Sequence, residues 1–147
     1  MGILNALYDS FDTYAGYIPF RQNGSLVADR SGQAKTYALY HLQPRGKMFV
    51  EPGVDVYEGM IIGENARGND MNVNACKAKQ LNNMRSSGAD EKLILAPPVR
   101  MTLEKAMEYI ADDELVEITP GAIRLRKKEL RGNMRSVVRG ERKQAKK

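Results

Sequence analysis

Between residues 69 and 92 the chain places five asparagines and four basic side chains in a stretch with almost no apolar periodicity. Lys77, Lys79 and Arg85 are cationic donors, and Asn82 and Asn83 offer both donors and acceptors. That mixture suits sugar-phosphate and base edges better than it suits a protein core. A solvated surface loop is the plain alternative. A second basic region lies at the end, where residues 120–147 carry eleven Lys and Arg against two Glu. The rest of the chain is mildly acidic, so the net charge of +5 is concentrated in one region. Such an end meets nucleic acid, an anionic membrane or an acidic protein partner, unless it is only a solubilising tail.

Catalytic arrangements fail one by one. The sequence has no GxxxxGK[ST] loop to cradle phosphate and no GxGxxG after a strand. His41 sits in the apolar run KTYALYHL and reads as a core or half-buried histidine with no nucleophile beside it. Cys76 has basic neighbours that favour the thiolate, but a small half-buried residue at the loop base is the simpler role. One Cys and one His cannot build a four-ligand zinc site, and a single Cys fits a reducing cytoplasm. Asp112, Asp113 and Glu114 are adjacent and read as a helix-end turn whose carboxylates point apart. No apolar run approaches the ~20 residues that span a bilayer. The sequence predicts a binding module, not an enzyme, with no membrane span, no metal and a monomeric state.

The elements that must position the polar loop are short. KTYALYHL (35–42) reads as a strand buried on both faces. Apolar stretches at 26–28, 48–50, 54–57 and 60–63 are cut by Pro52-Gly53 and Glu58-Gly59, and Asn23-Gly24 reads as a tight turn. Val73 continues a strand into the loop, and KLILA (92–96) returns as another before Pro97-Pro98. Thr102 is a suitable N-cap, Glu104 favours the first turn, and Leu103, Ala106, Met107 and Ile110 keep helical spacing up to about Ala111. A hairpin follows about Pro120-Gly121, and beyond Arg126 only a thin apolar stripe remains. The class expected is α+β, predominantly β, with a mixed or antiparallel barrel-like sheet, one or two helices and a long basic loop.

Three strings occur together and in order: NNMRSSGADE at 82–91, PPVRMTLE at 97–104 and DDELVEITPGAIRLRK at 112–127. With the run from 22 to 74 they resemble the C-terminal portion of the TypA/BipA family of ribosome-associated translational GTPases. The resemblance implies two parts, residues 1–22 as the end of a domain like the fifth domain of elongation factor G and 23–130 as the family's C-terminal domain; beyond it, 131–147 reads from composition as a basic tail, helical on a surface or partner and disordered otherwise. The resemblance further implies an isolated C-terminal piece of a parent that holds GTP and Mg elsewhere, this piece needing no cofactor. The partners implied are the ribosome, large-subunit rRNA and the acceptor end of A-site tRNA, in the cytoplasm, with roles in stress translation or large-subunit assembly. By motif match the loop at 74–91 is the RNA-contacting finger, with Lys79, Asn83, Met84, Arg85 and Ser87 on motif positions. Lys77 and Asn82 join them on chemistry alone. Arg45, Lys47, Arg67, Arg126, Lys127 and Lys128 are secondary RNA contacts.

Overall fold

The computed structural model describes residues 7–14, 21–79 and 93–135. The central strand β1 (Ser25–Ala28) is buried along its whole length. It pairs antiparallel with β5 (Met60–Asn65) and parallel with β6 (Met71–Val73). The far edge of β5 is shared: β3 (Gly46–Met48) pairs with its second half and β8 (Ala122–Lys127) with its start. The hairpin partner β7 (Glu114–Thr119) completes the sheet, in the order β6-β1-β5-β8-β7 with β3 beside β5. A separate two-stranded ribbon joins β2 (Gly32–Gln33) to β4 (Asp55–Val56). The sheet is mixed, as expected, but among the described residues it does not close into a barrel.

Alternation along the strands supplies a core on each face. Leu26, Ala28, Met60 and Ile62 pack with Leu39 and Leu42 of helix α1 (Thr36–Leu42). Val27, Ile61 and Leu125 pack instead with Ala106 of helix α2 (Leu103–Tyr109), with Tyr109 and Ile110 against them. Helix α2 starts where the sequence placed it, the Thr102 side chain accepting from the Lys105 N–H. Its last residue falls two short of the expected Ala111.

Two strand expectations are corrected. KTYALYHL is helix α1, continued by a 3-10 turn (Gln43–Arg45), and its buried side chains are Ala38, Leu39 and Leu42. That i, i+1, i+4 set is a helical stripe against one sheet face, which a seven-residue, largely apolar run does not distinguish from a two-faced strand. The described part of KLILA, from residue 93, forms no strand; it is a strap held by the Gln43 side chain, which donates to the Ile94 carbonyl (3.2 Å) and accepts from the Ala96 N–H (3.1 Å). Nor is Asn23-Gly24 a positive-φ turn: positive φ occurs at Gly32, Gly53 and Gly59. Gly24 is needed because a Cβ there would lie 2.2 Å from the backbone of Asn69.

The basic end is partly docked. Residues 132–135 form a helical turn, with the Gly132 N–H on Glu58 Oε1 (2.9 Å) and Arg135 Nη2 on Asn72 Oδ1 (2.7 Å). Residues 136–147 lie outside the described part.

Candidate nucleic-acid interface

The cationic residues singled out in the sequence separate into a buried one and a set of solvent-facing ones. Lys127 is only 2% exposed, and its Nζ donates to Asp70 (2.7 Å), Glu114 (2.8 Å) and Asp113 (3.1 Å). It is therefore corrected from an RNA contact to a core cation. Strand β8 alternates inward and outward, so Lys127 turns in beside Leu125 while Arg126 is half-buried and Lys128 exposed. The same cluster corrects the reading of the 112–114 carboxylates as diverging. Glu114 and Asp113 converge on one ammonium.

Glu114 is the hub. Its carboxylate accepts both guanidinium nitrogens of Arg21 (2.7 and 3.0 Å), the Ser25 hydroxyl (2.8 Å) and the Ala111 N–H (3.0 Å). Arg21 also lies over the Tyr109 ring, 4.4 Å from its centroid. Burial pushes the Glu114 carboxyl up, but the Arg21 hydrogen bonds and the Lys127 charge outweigh it and hold the group down at about 2. Burial likewise pushes the Tyr109 phenol up to about 12. A folded-state pKa below the ordinary 4.5 gives stability that is present above that value and lost as pH falls toward 2. The loss is expected to reach ~3 kcal/mol. Urea midpoints at pH 7, 4 and 3 measure it, and an unchanged midpoint at pH 3 would exclude this role for Glu114.

The solvent-facing set gathers around α1 and the chain leaving β6. Arg45, Lys47, Arg67, Lys77 and Lys79 are all exposed. The Ala66 N–H donates to the Arg45 carbonyl (2.8 Å), which sets the Arg45 turn beside the turn carrying Arg67. Lys47 lies opposite Glu64 across the β3–β5 ladder. Arg45 and Lys77 meet Tyr37, His41 and Asn74 around one groove of about 280 Å³, floored by Ala38 and Leu42. Arg126 and Lys128 are elsewhere, on and after β8, with β1 and β5 between β8 and β6. Asn82, Asn83, Met84, Arg85 and Ser87 lie outside the described residues.

Sequence reasoning missed Tyr37, His41 and Asn74. His41 is not a core residue; it is exposed and packs edge-on against Tyr37, with ring centroids 4.5 Å apart. A signal was present: positions 37, 41 and 45 recur every four residues, which is one face of a helix and not of a strand. Asn74 Oδ1 accepts the Cys76 N–H (2.9 Å), and the Lys35 N–H donates to the Ala75 carbonyl (2.9 Å). These bonds fix the near root of the polar loop against the start of α1. The Gln43 bonds to the 93–96 strap fix the far root against its end.

No cluster of three or more His, Cys, Asp or Glu able to hold a metal ion occurs among the described residues. No helix of the described residues is long and apolar enough to cross a membrane.

Comparisons with known proteins agree with the strings quoted above. Residues 23–132 match the family model described as the TypA/BipA C-terminal domain. The protein named large ribosomal subunit assembly factor BipA in Escherichia coli K12 is 51% identical over 133 residues. Its counterparts in Salmonella typhimurium and Haemophilus influenzae are 50% and 49% identical. Each alignment covers 88% of this chain and 22% of the relative, so the chain spans about a fifth of the length of the curated relatives it matches. By its signature strings and the match across 23–132, the chain belongs to the TypA/BipA family.

Proposed function

We propose that this chain is a ribosome-docking, RNA-binding module of a TypA/BipA-type translational GTPase that acts on the large ribosomal subunit. The observation that carries this reading is the 51% identity, over 88% of the chain, to a protein named as a large-subunit assembly factor. The charge distribution supports it, because Arg45, Lys47, Arg67, Lys77 and Lys79 are exposed, and Arg45 and Lys77 share a groove at the near root of the polar loop. Binding, not hydrolysis, is the activity of this chain: without a P-loop its residues do not fit GTP with Mg, and that chemistry belongs to a longer parent. The parts are residues 1–22 as the end of a preceding domain, 23–130 as the docking domain and 131–147 as a basic extension. The site of action is the cytoplasmic ribosome, with large-subunit rRNA and the acceptor end of A-site tRNA as the surfaces met.

Within the loop, Arg85 pairs bidentately with phosphate, and Lys77 and Lys79 act as point charges. Asn82, Asn83 and Ser87 reach base edges or 2′-hydroxyls, and Met84 packs against a base. Arg45, Lys47, Arg67, Arg126 and Lys128 neutralise phosphates around it.

Because phosphate neutralisation releases counterions, affinity for isolated large subunits is expected to fall steeply between 50 and 200 mM salt, by roughly 10³-fold for about six contacts. The double variant Lys79→Ala/Arg85→Ala is expected to weaken co-sedimentation by roughly tenfold or more and to flatten the salt slope by about 2. Unchanged binding in that variant would instead support an acidic protein partner engaged by the basic end.

A further inference from the structure

We propose that the groove between α1 and the root of the polar loop is a nucleotide-binding subsite, in which an unpaired RNA base stacks on Tyr37 and His41 while its phosphate lies between Arg45 and Lys77. The proposal rests on the RNA-binding reading above and adds to it a site outside the loop. Tyr37 and His41 stand one helical turn apart on the outer face of α1, and their rings meet edge to face. One ring therefore presents a surface to the groove without the other covering it, an arrangement that leaves a π-face for a base. Arg45 is four residues further along the chain, with its guanidinium Nη1 3.3 Å from the Met71 sulfur, which holds it over the groove from the β6 side. Lys77 and Asn74, from the chain beyond β6, line the same groove.

Three features point to a nucleotide over other occupants. Among the described residues that line the groove, none is acidic, so its field favours an anion. Two cations and two aromatic rings lining one groove match a ligand that combines an anionic group with a flat one. The volume of about 280 Å³ is at the small end of ligand pockets (~300–1,000 Å³), too small for a helix of a partner and suited to one nucleotide. Stacking also tolerates any base, so the subsite grips a strand without reading its sequence. Asn74 adds an amide that reaches a base edge or a 2′-hydroxyl. Since α1 also holds both roots of the polar loop, a strand held here is led directly toward the loop.

The test compares two fluorescein-labelled octamers: oligouridylate, and an abasic strand with the same sugar-phosphate backbone. The intact chain is expected to bind oligouridylate about tenfold more tightly than the abasic strand, the effect of a single stacked base. Tyr37→Leu and His41→Ala are each expected to cut that preference severalfold while leaving affinity for the abasic strand and the slope against salt unchanged. Arg45→Gln is expected to weaken both strands alike and to flatten the slope by about 1. The buried face of α1 (Ala38, Leu39 and Leu42) is untouched by these changes, and circular dichroism checks that the fold is kept. Equal binding of the two strands by the unsubstituted chain, or a preference left undiminished in both aromatic variants, overturns the subsite. If it is overturned while Lys79→Ala/Arg85→Ala still weakens large-subunit binding, the docking function stands without it. If the parent chain binds neither oligomer nor large subunits, both fall.

Discussion

Glu114→Ala is expected to lower the unfolding free energy by about 3–5 kcal/mol, the cost of breaking a buried ion pair from one side. Against the ~5–15 kcal/mol that holds a typical domain, that removes a large share of the fold's stability. The Glu114 side chain is fully buried, and it joins separate parts of the chain. Arg21 and Ser25 come from the chain entering β1, Lys127 from the end of β8, and Ala111 from the turn after α2. Removing the carboxylate leaves the Arg21 guanidinium with the Tyr109 carbonyl and ring, and Lys127 with Asp70 and Asp113. Lys127 then relies on two carboxylates that are both partly open to solvent, and the part-buried Arg21 guanidinium is left with neutral partners. Glu114→Gln keeps the shape and several hydrogen bonds but not the charge, so about half the loss is expected there. Urea denaturation at pH 7 measures both. A double-mutant cycle with Arg21→Ala assigns the coupling, expected at 1–3 kcal/mol as typical for one network. A loss below about 1 kcal/mol for Glu114→Ala would show that the cluster is a surface-like pair of little worth.

Gly46→Ala is expected to cost at least about 2 kcal/mol and to part β3 from β5, because overpacking against rigid backbone has no cheap relief. A Cβ on Gly46 would stand 1.8 Å from the Glu64 carbonyl oxygen and 3.1 Å from the Asn65 Cα. These are ladder atoms, since Gly46 faces Asn65 and Lys47 faces Glu64 in the register. The backbone of Gly46 is extended (φ 165°), so the penalty is steric contact alone and not a forbidden conformation. Gly121→Ala is the matched control: nothing lies within 4 Å of its Cβ position and its φ is not positive. That variant is expected to be nearly neutral. Gly46 stands between Arg45 and Lys47, so the substitution also displaces two proposed phosphate contacts. Thermal unfolding and large-subunit binding should both suffer in Gly46→Ala and neither in Gly121→Ala. Equal melting temperatures for the two variants would refute the close-approach role of Gly46.

Local chemistry was enough for several elements. The Thr102 cap and the spacing of Leu103, Ala106 and Ile110 place α2, because a cap and a helical stripe are both written within ten residues. The alternating runs on either side of Pro120-Gly121 place the β7–β8 hairpin for the same reason. The strings at 82–91, 97–104 and 112–127 placed the chain in its family before any coordinates. Where sequence reasoning failed, the deciding contact was distant. The seven largely apolar and aromatic residues at 36–42 (TYALYHL) include Thr36 and His41 and fit two periodicities, and only the sheet face covering Leu39 and Leu42 selects the helix. Residues 93–96 have a strand's composition, but they form no strand; the Gln43 side chain takes the Ile94 carbonyl and the Ala96 N–H instead.

The same division holds for function. The sequence by itself determined the family, the absence of a P-loop in this chain and the polar, basic character of residues 69–92, since composition and motif order need no third dimension. Only the tertiary structure decided which cations are available. Lys127 and Lys128 are chemically alike neighbours, yet the pleat of β8 turns one into a carboxylate cage and leaves the other in water. The structure alone also brought Tyr37 and His41 out of the supposed core and set them beside Arg45 and Lys77. A helix in place of a strand changes which side chains share a face, and therefore which chemistry can converge.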